Sequence, residues 1–277
     1  MSDLYSLMVA AGAVLGGGVI LWVVSVRIRD SSIIDIAWGP GFILCTVIYV
    51  VLTETPSLRL LIVTALIVIW GTRLAAHIFI RNYAKPEDFR YQAFRQQAGS
   101  SYWWTSYFKV FFLQGLLILI ISAPILAISI SGQPAFPTAL DIIALGLWFI
   151  GMVFEVGGDL QLHRFKMRSQ NKSRVLSTGF WSITRHPNYF GDALVWWSIY
   201  IFATPSGVGA ITVFAPMIMT LLLSRVSGVG MLEPHLIASK EEYRNYMLRT
   251  PAFFPSVSAW QSYDDESDDA GTRSSVG

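Results

Sequence analysis

One cysteine in 277 residues rules out a disulfide within the chain, and Cys45 lies inside an apolar run, where it serves as core filler. Charge is scarce as well: only 14% of residues are Asp, Glu, Lys or Arg, too few for an ordinary water-soluble domain. No G-x-G-x-x-G follows a strand-like segment, which excludes a Rossmann dinucleotide fold. There is no internal repeat, nucleic acid is not expected as a partner, and no metal site is expected.

What the chain has instead is apolar residues, 53% of the total, gathered in blocks of about 20, the length of helix that crosses roughly 30 Å of hydrocarbon. The blocks predict an all-α, polytopic membrane protein with about seven spans: 5–26, 33–52, 58–80, 107–130, 139–162, 188–204 and 207–226. The first block carries Asp3, no Lys or Arg before it, and no small-residue cleavage site, so it reads as a transmembrane helix and not as a removed signal peptide.

Alternate connections differ sharply in charge. Arg27 and Arg29 follow the first span, Arg81, Lys85, Arg90 and Arg95 the third, and Arg164, Lys166, Arg168, Arg174 and Arg185 the fifth, while the other connections carry almost none. The positive-inside rule then predicts an N-terminus outside and a C-terminus in the cytoplasm. After the last span, 239–248 has the pattern of a short amphipathic helix lying at the interface. The domain reading is one membrane domain, 1–261, with the cofactor in its 139–261 half, and an acidic, disordered tail over 262–277. Setting aside the five acids and Arg273 of that tail leaves 19 basic and 13 acidic residues, a clearly basic body.

An ionisable side chain inside a span costs at least about 2.5–3.5 kcal/mol near the bilayer centre, so each calls for a reason. Asp35, Arg73, His77, Glu155, Asp159, Asp192 and Arg225 all fall at the predicted cytoplasmic ends of their helices. Seven groups at one depth point to a polar cavity open to the cytoplasm, able to hold a charged cofactor and to admit an apolar substrate from the lipid.

The densest signal is Arg185-His186-Pro187-Asn188-Tyr189-Phe190-Gly191-Asp192. Pro187 suits a first helical turn, whose free N–H groups attract anions, with Arg185 adding charge. Asn188 and Asp192, four apart, share a helix face, and so do Glu155, Asp159 and His163 on the preceding span. Carboxylates suit ribose hydroxyls or a carboxamide, and Lys166 and Arg174 suit an extra phosphate, so NADPH is expected over NADH.

At these residues the chain resembles the steroid 5α-reductase family, specifically the bacterial branch of the 3-oxo-5α-steroid 4-dehydrogenase C-terminal, or DUF1295-like, superfamily. The resemblance rests on 155–166, Arg174, 178–192, Arg225 and 241–255, and more weakly on Asp35-Ile36-Ala37-Trp38 and Trp70-Gly71-Thr72-Arg73. It implies NADPH-dependent reduction of the C=C bond of an enone in a lipid-like substrate, a 3-oxo-Δ4 steroid first of all, by a monomer in the bacterial inner membrane with its site facing the cytoplasm. It also implies that Asp159, Lys166, Arg174, Asn188, Asp192 and Arg225 bind the cofactor, to which the reading of the two helix faces and the 185–192 segment adds Glu155, His163, Arg185 and Tyr189. Asp35 would be the catalytic acid, held neutral by an apolar setting, with Trp38, Trp70 and Arg73 against the substrate. The pattern departs from the family where relatives carry a Gln-Glu pair, here Ile34-Asp35, and where they carry a tyrosine, here Trp70.

Two other readings compete. A membrane methyltransferase using S-adenosylmethionine shares an Arg-His-Pro segment and a later Arg followed by acid, here Arg225 and a single Glu233. A non-catalytic sterol-binding protein would have no reason to keep acids and bases at one depth.

Overall fold

The computed structural model describes residues 2–130, 134–171 and 174–256, and every regular element among them is helical. In order these are α1 (Ser2–Ile28), α2 (Ile33–Ile36), α3 (Trp38–Leu52), α4 (Leu58–Asn82), α5 (Phe89–Ala98), α6 (Tyr102–Ser106), α7 (Leu113–Ile121) and α8 (Ala123–Ser129). They continue with α9 (Ala139–Met167), α10 (Phe180–Ile183), α11 (Pro187–Ala203), α12 (Gly207–Ile211), α13 (Phe214–Leu221), α14 (Val229–Ser239) and α15 (Tyr243–Arg249). Wide π-type turns at Tyr107–Phe112 and Leu222–Val226 join α6 to α7 and follow α13. The acidic tail expected over 262–277 lies outside the described residues.

The chain is an all-α polytopic membrane protein. Five helical stretches are long and apolar enough to cross a bilayer: Leu4–Ile28, Leu58–Asn82, Phe89–Ile121, Ala139–Met167 and Gly207–Ser239. Large apolar side chains such as Phe149 and Ile211 remain 65% and 71% exposed, which in water would be a liability and in lipid is a solvated surface. Two of the seven expected spans are shorter, 15 residues in α3 and 17 in α11. The 33–52 block breaks at Ala37 because Pro40, which lacks an N–H, fits only a first helical turn, so α3 starts afresh at Trp38. The 107–130 block instead extends backwards to Phe89, since Asp88 caps the Arg90 N–H and starts a helix well before the apolar run.

Two compact units emerge from the packing, Met1–Ile142 with Ile199–Ala215, and Ile143–Ser198 with Pro216–Gly277. Within the first, α3 and α4 cross in backbone contact: a Cβ on Gly71 would lie 2.9 Å from the Gly39 carbonyl oxygen. Small residues at such a crossing let two membrane helices approach closely, and here they set Trp38 and Trp70 beside the same contact. Arg59 at the start of α4 and Asp141 at the start of α9 form a fully buried bidentate pair, Nε to Oδ1 2.7 Å and Nη2 to Oδ2 2.8 Å, with the Thr138 hydroxyl also donating to Asp141 Oδ2.

The second unit repeats the device. A Cβ on Gly191 of α11 would lie 2.5 Å from the Glu155 nitrogen of α9, and one on Gly151 would lie 2.8 Å from the Gly191 carbonyl oxygen. Further along, Gly158 packs on Pro187. The expected amphipathic helix is present as α15, its Tyr243 and Tyr246 buried and its Leu248 exposed.

Candidate functional site

The first unit holds Asp35, Trp38, Trp70 and Arg73 and joins them to residues the sequence did not single out. Asp35, on the short turn before α3, accepts 2.6 Å from Arg90 Nη2 and 2.5 Å from the Tyr91 hydroxyl. Tyr91 is buried, and its oxygen accepts in turn from Gln114 Nε2 at 3.2 Å, while the Gln114 carbonyl takes the Trp38 indole N–H. The result is one directed chain across four elements, Trp38 to Gln114 to Tyr91 to Asp35, closed by Arg90. The Gln114 amide can face only one way in it, because its oxygen must meet an indole donor and its nitrogen a phenol oxygen.

Burial pushes the Asp35 carboxyl up while the Arg90 charge and the Tyr91 hydroxyl pull the other way, and Tyr91 brings a second exchangeable proton to the same place. Arg90 is itself fixed by Asp88, through Nε at 2.8 Å and the backbone N–H at 3.0 Å. Partial burial pushes the Asp88 carboxyl up, but the hydrogen bonds and charge of Arg90 outweigh it and hold Asp88 below the usual carboxylate range. Trp70 is buried with Phe42 packed edge-on against it at 5.8 Å, and Phe42 meets Trp38 at the same distance, so the three rings form one aromatic wall. Arg73 is half-buried one turn beyond Trp70.

In the second unit the α9–α11 crossing gathers Glu155, Asp159, Asn188 and Asp192. Glu155 and Asp159 are 2% and 6% exposed and Asp192 is at the margin of burial. Asn188 Nδ2 donates to Asp159 Oδ1 at 3.0 Å, which turns the Asn188 Oδ1 inward, where it is buried and meets no hydrogen-bond donor. His163, Lys166, Arg174 and Arg225 are exposed, the first two lying one and two turns along α9 from Asp159. Tyr189 stacks flat on His186 at 5.4 Å and packs against Ala193, Val229 and Phe253.

Arg185 stands apart from the anion-binding role expected of it. Its guanidinium grips Glu233, Nε to Oε1 2.7 Å and Nη2 to Oε2 3.1 Å, and donates from Nη1 to the carbonyls of Met247 and Thr250. His186 and the Tyr243 hydroxyl, each 3.2 Å from Glu233 Oε1, complete the knot. Arg185 and His186 thus tie α11 to α14 and α15. Glu233 was visible as a lone acid in an apolar helix, but its partners are brought to it by folding.

The chain matches, over residues 21–250, the model of a family described as protein of unknown function (DUF1295). It is 27% identical over 278 aligned positions, 90% of this chain and 80% of the relative, to the uncharacterized protein C594.04c of Schizosaccharomyces pombe. No solved structure gives a significant match.

Proposed function

The chain belongs to the DUF1295 family, and from that premise and the chemistry of the two clusters we propose that it reduces the C=C bond of an enone in a lipid-like substrate at the expense of NADPH. The observation that carries the reading is the buried α9–α11 cluster. Three acids and an amide packed beneath exposed bases have no counterpart in a helix crossing that only needs to be tight. The Asn188 Oδ1, buried without a donor, is what a ligand amide or hydroxyl would satisfy, since an unmet buried acceptor costs about 1–3 kcal/mol.

The residues fit NADPH in a graded way. Asp159, Asn188, Glu155 and Asp192 are the groups to hold ribose hydroxyls and carboxamide, and the exposed bases Lys166, Arg174, His163 and Arg225 are the groups to meet phosphates. Arg185 does not fit, being engaged with Glu233. Bound there, NADPH supplies the hydride that adds to the β-carbon of the enone.

The protein's own part is to manage charge on the carbonyl oxygen. Asp35 keeps Arg90 when the Tyr91 hydroxyl turns away from it, so that hydroxyl is the donor able to swing to a substrate carbonyl at small cost. Gln114, donating to the Tyr91 oxygen, fixes the position of the phenol beside Asp35. The Trp38, Phe42 and Trp70 wall offers a flat apolar face of the kind a fused-ring substrate needs. With this assignment Asp35 is a positioning residue, and its active site faces the cytoplasm if the basic connections lie inside.

Titration of the detergent-purified chain with NADPH, NADH and S-adenosylmethionine tests the cofactor. NADPH is expected to raise the melting temperature more than NADH does, and S-adenosylmethionine to leave it unchanged. A shift with the methyl donor alone would overturn the assignment in favour of a methyltransferase. A panel of 3-oxo-Δ4 steroids, isoprenoid enones and fatty enones, read by cofactor oxidation, then finds the substrate class.

A further inference from the structure

A cavity of about 450 Å³ opens in the first unit between the end of α1 and the turn from α5 to α6, and none of the residues assigned above to substrate or cofactor lines it. Its polar side chains are Ser25, Arg29, Ser31, Arg95, Ser100 and Tyr102 with Ser106 behind them, and no carboxylate is among them. The acceptors nearby are already engaged. Glu87 takes Arg95 Nε at 3.0 Å, Arg95 Nη2 at 2.8 Å and the Ser31 backbone N–H at 2.8 Å. Asp30 takes the Ser32 N–H, the Trp22 carbonyl takes the Ser25 hydroxyl, and the Trp103 carbonyl takes both the Ser106 hydroxyl and the Trp22 indole.

What remains unengaged is a set of donors. Tyr102 donates to Ser31 Oγ at 2.9 Å, which leaves the Ser31 hydroxyl hydrogen to point elsewhere. Arg95 keeps its Nη1 edge, and its plane is steadied by the Tyr102 ring 4.3 Å away. Arg29 is exposed, and no ion pair with it occurs among the described residues. Its backbone lies in the left-handed region, φ 56°, at the residue that follows α1. Glycine is the usual occupant there because an L side chain is strained. Arg29 holds that conformation while lining a cavity rich in hydrogen-bond donors.

We propose that this cavity binds a phosphate-bearing group through Arg29, with the Arg95 edge and the Ser31 and Ser100 hydroxyls as supporting donors. The cavity is larger than a bare phosphate ion requires. Trp103 beside it is 56% exposed and stacked on Trp22, and exposed tryptophans are enriched where membrane proteins meet lipid headgroups. Both features favour the phosphodiester headgroup of an anionic membrane lipid as the source.

Native mass spectrometry of the full chain in detergent, titrated with dioleoylphosphatidylglycerol, tests this. Arg29→Gly relieves the backbone strain and is expected to melt no lower than the wild type, yet to bind the lipid about tenfold or more weakly, the loss of one charge-assisted contact. Arg29→Asn, a residue tolerant of positive φ, gives the same test by a second route, and Arg27→Gly, outside the cavity, is expected to bind normally. Retention of lipid affinity in both Arg29 variants, or equal binding of dioleoylglycerol, which lacks the phosphate, would overturn the proposal. Millimolar inorganic phosphate that displaces the lipid would assign the site to the free anion, and failure to displace it assigns the site to the headgroup.

Discussion

Replacing Gly191 by alanine adds one carbon where the structure has no room for it. The new Cβ would stand 2.5 Å from the Glu155 nitrogen, against 3.4 Å for an ordinary contact, and the obstruction is helix backbone, which cannot rotate aside. The helices α9 and α11 must therefore part by about 0.9 Å. Such overpacking costs about 1–3 kcal/mol. The same movement stretches the 3.0 Å bond from Asn188 to Asp159 beyond hydrogen-bond length, since the two residues sit one turn from the contact. If this crossing builds the cofactor site, NADPH affinity falls about tenfold, as expected when one polar contact to a charged group is lost. Gly146→Ala is the control on the partner helix α9, where a Cβ meets nothing within 4 Å. There the gain in helix propensity, up to about 1 kcal/mol, should leave the protein as stable or more so. Melting temperature and NADPH-dependent quenching of tryptophan fluorescence read both effects. A Gly191→Ala protein that melts and binds like the wild type would refute the argument that a close crossing sets the site.

Three further outcomes follow from the same geometry. Tyr91→Phe should lower kcat by about 10²–10³, the usual effect of losing one donor to a developing oxyanion, while the NADPH dissociation constant stays unchanged; a kcat within a few-fold of wild type would remove Tyr91 from the chemistry. Asp141→Asn leaves Arg59 fully buried without its counter-charge and should destabilise the protein by about 3–5 kcal/mol, read by thermal melting, whereas loss of under 1 kcal/mol would show the pair to be dispensable. Asp88 has its folded pKa below the ordinary 3.8, so its contribution to stability is complete above that value and is lost as pH falls through the folded pKa; acid melting curves of Asp88→Asn should lack this component.

Hydrophobic block length was enough to read an all-α polytopic membrane protein, because a 20-residue apolar run has one cheap conformation in lipid. Block length was a poor guide to where helices start. Pro40 resets the second block at Trp38, a feature of backbone chemistry that hydropathy does not register, and Asp88 starts a helix in a stretch too polar to be counted as a span. The Arg59–Asp141 pair was missed for a related reason: each residue stands at the first turn of its helix, where charge looks solvated, and only packing shows both to be buried.

The second-unit cluster was legible because its members recur at helical spacing on two adjacent segments, so periodicity alone put Glu155 with Asp159 and Asn188 with Asp192. Periodicity could not bring the two pairs together; Gly151 and Gly191 do that, and a glycine announces a close approach only once its neighbour is known. The first-unit cluster hid for a different reason. Tyr91, Arg90 and Gln114 lie 55 or more residues from Asp35 or Trp38, and none of them shares a helix face with those residues. Gln114 was the one visible trace, an amide in the otherwise apolar 110–121 run, and an amide in lipid must find both a donor and an acceptor. That amide, traced to its two partners, leads from Trp38 to Tyr91 and so to the proton on which the proposed reduction depends.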